Sequence, residues 1–272
     1  MNIIKDRQYF NFAAAEIIIP NDTIIIGSEA FRECKNLKEI VIPKSVESIA
    51  DGAFRNCKNL KKVIFENDNC FMSEKIFYDC ESLEEVHLPK NLKKISDSTF
   101  YCCWELKEIK LPPSLKTIDN YAFEACGLEN IVFPTSLEKV GRYAFKNCKI
   151  ETLNFDCDLK EIEPGFESDS LKTLIINSPY TIKYFDNKFI ENCPELKSIS
   201  LSNIENICLD LHKFDEIKLT EYTRNKLIES KKGEKFDISK YNIKIIDISL
   251  ESLLDSNRTF KELSKIYKDM EK

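Results

Sequence analysis

Histidine occurs only twice in this 272-residue chain, and glycine only six times. The two histidines, His87 and His212, have no companions at metal-ligand spacing, which removes the usual histidine-based metal and proton-transfer sites. With so few glycines the chain holds no Gly-x-Gly-x-x-Gly turn and no Walker-type loop, so a nucleotide-cradling turn is unsupported. Long apolar runs are missing as well. Ile17-Ile18-Ile19 and Ile24-Ile25-Ile26 fall far below the ~18 residues that span a bilayer, and no membrane insertion is expected. Met1 to Phe12 carries Lys5, Asp6 and Arg7 without a secretory apolar core, so a cytoplasmic chain is expected, with a surface or extracellular one as the alternative. Basic excess is absent: 40 Lys+Arg against 46 Asp+Glu give a net charge of −6. That balance disfavours nucleic acid as a direct ligand. Carboxylates are numerous but scattered over turns. No cofactor, metal or catalytic residue is expected, and an enzyme is not.

What the chain does have is repetition. Phe31, Phe54, Phe77, Phe100 and Phe123 fall 23 residues apart, and three positions after each stands Cys34, Cys57, Cys80, Cys103 or Cys126. The pattern runs on, slightly out of step, through Phe145/Cys148 to Ile190/Cys193. A fixed period of this size marks a stacked solenoid, because no single unit can bury its own apolar face. Cysteines of successive units would sit about 5 Å apart, one strand spacing, which permits bridging. Flanked by apolar Phe and Leu positions, they read instead as small buried hydrophobes in a reducing compartment.

Two periodicities alternate within a unit. Over residues 37–60, Ile40-x-Ile42 has the strand period of two, while Val46-x-x-Ile49 has the spacing of a tight helical or 3-10 turn. Pro43 stands where the strand must stop donating, and recurs as Pro20, Pro89, Pro112 and Pro134. The strand recurs as Ile17-x-Ile19, Val63-x-Phe65, Val86-x-Leu88, Ile109-x-Leu111, Ile131-x-Phe133, Leu153-x-Phe155, Leu174-x-Ile176 and Ile199-x-Leu201. Stacked side by side these make a parallel sheet.

Ile42-Pro43-Lys44-Ser45-Val46 and Leu111-Pro112-Pro113-Ser114-Leu115, with the Ala-Phe-x-x-Cys pairs, resemble the BspA-like leucine-rich repeats over about residues 17–201. The resemblance implies an α/β repeat solenoid: a leucine-rich-repeat horseshoe with a concave parallel β-sheet, short helical or 3-10 convex segments and a helical C-terminal cap. Residues 1–16 are expected as an N-terminal cap, 17–219 as the solenoid (degenerate after 201), and 220–272 as a mostly helical cap or interaction segment. Within that segment Glu221 to Lys231 reads as a helix with Thr220 as N-cap and Gly233 as its stop, and Thr259 to Met270 as a second helix. Several units depart from the pattern. The repeat shortens at Cys126-Gly127-Leu128 and Cys148-Lys149-Ile150, and Asn67-Asp68-Asn69-Cys70 replaces a proline turn.

Alternation then reads the surface. If Ile40 and Ile42 point inward, one outward column runs Glu16, Glu39, Lys62, Glu85, Glu108 and its neighbour Ile18, Val41, Ile64, His87, Lys110, Val132. Apolar residues beside carboxylates fit a basic, amphipathic protein surface. The sequence therefore points to a non-enzymatic protein-interaction module, an adaptor or inhibitor, acting through its concave face. A secreted or surface BspA-like adhesion protein is the alternative that the resemblance implies.

Overall fold

The computed structural model describes residues 2–231 and 238–246. Gly233 and the helix expected over 259–270 lie outside the described residues. Each repeat closes one three-sided coil. Its first side is the expected strand: Glu39–Ile42, Lys62–Phe65 and Glu85–His87 pair in parallel, Val41 opposite Ile64 and Ile64 opposite His87. Burial alternates along them, with Ile40, Ile42, Val63, Phe65 and Val86 facing inward. The same side resumes as Thr152–Phe155, Thr173–Ile176, Ser198–Leu201, Glu216–Leu219 and Ile243–Ile245. Three expected strands are missing. Residues 17–19, 109–111 and 131–133 are not strands, although Ile19, Ile109, Leu111 and Phe133 are buried.

The second side corrects the expected helical leg. Ser48–Ile49 is a short strand, paired in parallel with Thr23–Ile26 before it and Phe71–Met72 after it. Beyond these, Lys94–Ile95, Thr117–Ile118, Lys139–Val140 and Glu161–Ile162 form another parallel run, and Ile182–Asp186 pairs with Ile204–Cys208. Val46 and Ile49 both point inward because the chain turns a corner between them, not because it coils. The Val46 N–H closes that corner onto the Pro43 carbonyl at 3.0 Å, and Glu47 and Ala50 then donate to Ile24 and Ile26 of the preceding coil.

From Glu29 to Asn147 the third side is a turn leg without helix; farther on it carries the 3-10 turns Asn187–Phe189 and Leu211–Lys213. Six successive coils each hold two left-handed residues four apart: Glu29 and Glu33, Gly52 and Asn56, Lys75 and Asp79, Ser98 and Cys102, Tyr121 and Ala125, Tyr143 and Asn147. Alternate N–H groups reach forward to the next coil, as Gly52, Phe54 and Asn56 do to Glu74, Ile76 and Tyr78. The N–H groups of Arg55 and Cys57 instead bond three residues back, to Gly52 and Phe54. The leg thus satisfies its donors without helix or strand, as buried backbone must. Beneath it the repeat phenylalanines stack from Tyr9 through Phe31, Phe54, Phe77, Phe100 and Phe123 to Phe145, centroids 5.0–5.8 Å apart. Most ladder cysteines bond back to the ring residue of the coil before them, while Cys126, at the first shortened turn, donates to the Leu106 carbonyl at 3.6 Å. The thiols of Cys57, Cys80, Cys103 and Cys148 donate to the carbonyls of Phe31, Phe54, Phe77 and Phe123 at 3.1–3.3 Å. All eleven cysteines are free.

At the N-terminal end Asn2–Ile4 pairs with Thr23–Ile26, and Tyr9 supplies the first ring of the stack. At the other end the helix Glu221–Ser230 begins where Thr220 accepts the Thr223 N–H. The described part of 220–272 is not mostly helical: besides that helix it holds one 3-10 turn, Ile238–Lys240, and the strand Ile243–Ile245. Over the described residues the architecture is a parallel-sheet solenoid with little helix.

Candidate interaction surface

Outward strand positions carry the candidate surface, and the register fixes their neighbours. Glu39, Lys62 and Glu85 align as one row, Val41, Ile64 and His87 as the next. Val41 is 46% exposed on this sheet, while Ile64 is half-buried between its neighbours. The charged row is internally paired. Lys62 Nζ meets Glu85 at 2.7 Å and His87 Nε2 meets the other Glu85 oxygen. The Lys62 hydrogen bond, then that of His87, holds the Glu85 carboxyl below the usual glutamate range. The same Glu85 bond raises Lys62. Glu39 makes no ion pair among the described residues. A compact patch of six side chains results, with apolar Val41 and Ile64 beside His87 on one row and Glu39, Lys62 and Glu85, nearly charge-balanced, on the other.

The remaining candidates are outward-facing but stand apart from this paired sheet. Ile18 is 91% exposed and Val132 is 83% exposed, both on segments that form no strand. Glu16, Glu108 and Lys110 are exposed on the same unpaired segments. Between Glu85–His87 and Thr152–Phe155 the first side loses its ladder. A cleft of about 470 Å³ opens there, lined by Glu84, Glu105, Lys107, Glu108, Glu129 and Asn130.

Other exposed features escape a reading by strand alternation. Trp104, the single tryptophan, is 52% exposed just past the turn leg, and Phe71 is 60% exposed on the second side. Phe71 is a large apolar residue at a regular outward position, just after the Asn67–Cys70 turn. Cys70 N–H closes the corner onto Asn67, and Phe71 stands opposite Ser48 at the outward position that Lys94, Thr117 and Lys139 hold in later coils. On the turn leg Arg55 lies over the Tyr78 ring at 4.5 Å, and Tyr78 stacks on Tyr101 at 4.5 Å. Among the described residues no group of three or more His, Cys, Asp or Glu is arranged to hold a metal. No described helix is long and apolar enough to cross a membrane.

Comparison with known proteins places this geometry. No curated protein matches the chain. A leucine-rich repeat protein from Bacteroides ovatus superposes with a TM-score of 0.64 at 22% identity, covering 90% of this chain and 76% of that one. A leucine rich cell surface protein from Faecalibacterium prausnitzii superposes with a TM-score of 0.51 at 19% identity, covering 81% and 77%. At such identities the likeness is one of fold, a fold that ordinarily serves binding rather than catalysis. The BspA type leucine rich repeat region matches in six copies over residues 2–128 and 93–219, and with most of its length so matched the chain belongs to the BspA-type leucine-rich repeat family.

Proposed function

We propose that this chain is a non-enzymatic protein-binding module that docks a partner on the first-side sheet around Val41 and Ile64. The observation that carries the reading is the in-register patch: an outward apolar pair, exposed Val41 and half-buried Ile64, beside Glu39, Lys62 and Glu85. Burying the apolar pair supplies affinity, and the flanking carboxylates set orientation. Glu16, Glu39 and Glu108 make no ion pair among the described residues and favour a partner with a basic surface. His87 belongs to the patch, and Ile18, Lys110 and Val132 are further outward residues of the same side on the unpaired segments flanking it. Whether docking recruits a second protein or blocks one, the adaptor and inhibitor readings share this surface.

The paired substitution Val41→Arg/Ile64→Arg tests it, because Val41 is exposed and Ile64 half-buried on the outward face. Cross-linked capture from cells of the source, or of a host it meets, should recover a partner with the unmodified chain and lose it with the pair, at unchanged melting temperature. Capture that survives both substitutions moves the site off this face.

The Faecalibacterium neighbour is a cell surface protein, and that favours a second reading in which this chain also works outside the cell, as an adhesion protein. Antibody labelling of intact cells separates the two: surface label places the patch against an extracellular ligand, and label only after permeabilisation returns it to the cytoplasm.

A further inference from the structure

The three sides of the coil differ in how continuously they are bonded. On the first side none of the N–H groups of 107–111 or 130–133 has an acceptor among the described residues. The counterparts of 108 and 130 elsewhere are bonded, Lys62 to Lys38 at 3.3 Å, Glu85 to Lys61 at 3.0 Å and Thr173 to Glu151 at 3.0 Å; the opened stretch keeps one backbone link, Glu129 to Lys107 at 3.0 Å. The other two sides run unbroken past the same three junctions. Lys94–Ile95, Thr117–Ile118, Lys139–Val140 and Glu161–Ile162 remain paired. On the turn leg Ser98, Phe100 and Cys102 bond to Asn120, Ala122 and Glu124, and Tyr121, Phe123 and Ala125 to Arg142, Ala144 and Lys146. The rings from Phe100 to Phe145 stay 5.2–5.6 Å apart.

Two sequence features open the first side. The outward row alternates Glu39, Lys62, Glu85, and each step pairs opposite charges or follows one that does; the next residue, Glu108, repeats the sign of Glu85. Like charges facing across adjacent strands oppose pairing. The two following turns are each one residue short, at Cys126-Gly127-Leu128 and Cys148-Lys149-Ile150. Gly127 lies so close to the preceding coil that an added Cβ would stand 2.0 Å from the Trp104 carbonyl oxygen. The shortened coil is pinned there and at Glu129 to its neighbour, while 130–133 forms no ladder with 107–111. Carboxylates of Glu105, Glu108 and Glu129 then line the cleft against the single cation Lys107.

We propose that the solenoid hinges across the junctions between Glu85–His87 and Thr152–Phe155, the first side opening and closing while the turn leg and the Lys94–Ile162 sheet act as spine. A side held by a single backbone link and facing two continuously bonded ones is the side that yields, and sparse backbone bonding marks the element of lowest local stability. The Val41–Ile64 patch and the sheet beginning at Thr152 then change their mutual angle, so a ligand touching both selects one curvature.

Hydrogen exchange on the full chain reads the first half of the proposal. Amides of 107–111 and 130–133 should exchange at least about tenfold faster than those of 62–65 and 173–176. Double electron–electron resonance reads the second half, with labels carried on non-natural residues at Lys44 and Lys183 to spare the cysteines. A broad distance distribution is expected in the native chain. The substitution Glu108→Lys places a cation opposite Glu85, and should narrow that distribution while slowing exchange at 107–111 and leaving 130–133 fast. Equal exchange at all four segments overturns the hinge, and so does a single narrow distance that Glu108→Lys leaves unchanged.

Discussion

Left-handed backbone at ordinary residues is the most expensive feature of this chain at the scale of single side chains. Lys75, Ser98, Tyr121 and Tyr143 all adopt φ between 52° and 56°, where a Cβ crowds the following carbonyl. The forward hydrogen bonds of the turn leg hold them there, Lys75 N–H to the Asp97 oxygen at 3.0 Å for one. Lys75→Gly keeps that bond and relieves the crowding, so it should stabilise the chain by about 0.5–1 kcal/mol in urea melts, net of the glycine's extra chain entropy. Phe77→Ala has the opposite sign. Its ring is fully buried with stacked neighbours 5.8 Å and 5.6 Å away, and a cavity there should cost about 3–5 kcal/mol. The ring column and its cysteines were legible in the sequence because identical residues recur at one position. The left-handed pairs were also signalled, since Asn56, Asp79, Asn147 and Asn192 recur two positions after the ring position. That signal is faint because Glu33, Cys102 and Ala125 occupy the same place.

Among the elements, period-two strands were read correctly where nothing disturbed their register. Ile40-x-Ile42 and Leu174-x-Ile176 form strands; Ile109-x-Leu111 and Ile131-x-Phe133 do not, although the pattern is the same. Residue pattern reports burial, and pairing depends on what stands in the adjacent coil, which a local reading does not see. The Val46-x-x-Ile49 leg failed for a related reason: three residues around a corner and three along a helix bring the same side chains inward. For the outward rows, alternation gave the alignment of Val41 with Ile64 but not the Lys62–Glu85–His87 pairing, which arises only once the coils stack. The helix Glu221–Ser230 was legible from its cap, and the cap does more than the sequence shows. Thr220 Oγ1 accepts from the N–H of Thr223 and from that of Asn203, tying the helix to the preceding coil. Thr220→Ala should therefore cost about 1–2 kcal/mol, at the upper end for an N-cap, and circular dichroism melts against Ser and Ala variants measure it. A serine that restores the stability identifies the hydroxyl as the cause.

Across the whole molecule the coils are tied by ion pairs outside and by thiols inside, and pH separates the two. Outside, Lys58–Glu81, Lys61–Glu84, Lys116–Glu138 and Lys139–Glu161 bridge successive coils at 2.6–2.7 Å. Exposed pairs of this kind are individually weak. The lysine partners hold the Glu85, Glu138 and Glu216 carboxyls low, so the unfolded chain binds more protons than the folded one in acid. Stability should therefore be complete above the ordinary glutamate value of about 4.3 and fall gently as pH drops through the lower folded values. Glu124, held up by burial, blunts that fall. Inside, burial pushes the thiols of Cys70 and Cys148 up to about 12 and raises Cys80, Cys103 and Cys126 as well. Unfolding frees each of them to ionise near the ordinary thiol value of about 8.5, so folded stability is lost as pH climbs above it. Each such thiol contributes about 1.4 kcal/mol per pH unit, and several act together. The alkaline limb should thus be far steeper than the acid one, and it should begin near pH 8.5, before the lysines titrate. Urea melts from pH 7 to 10 measure the slope, and Cys80→Ala should flatten it by one proton while lowering stability at pH 7 through its lost packing. An alkaline slope unchanged by Cys80→Ala would assign the limb to groups other than the ladder.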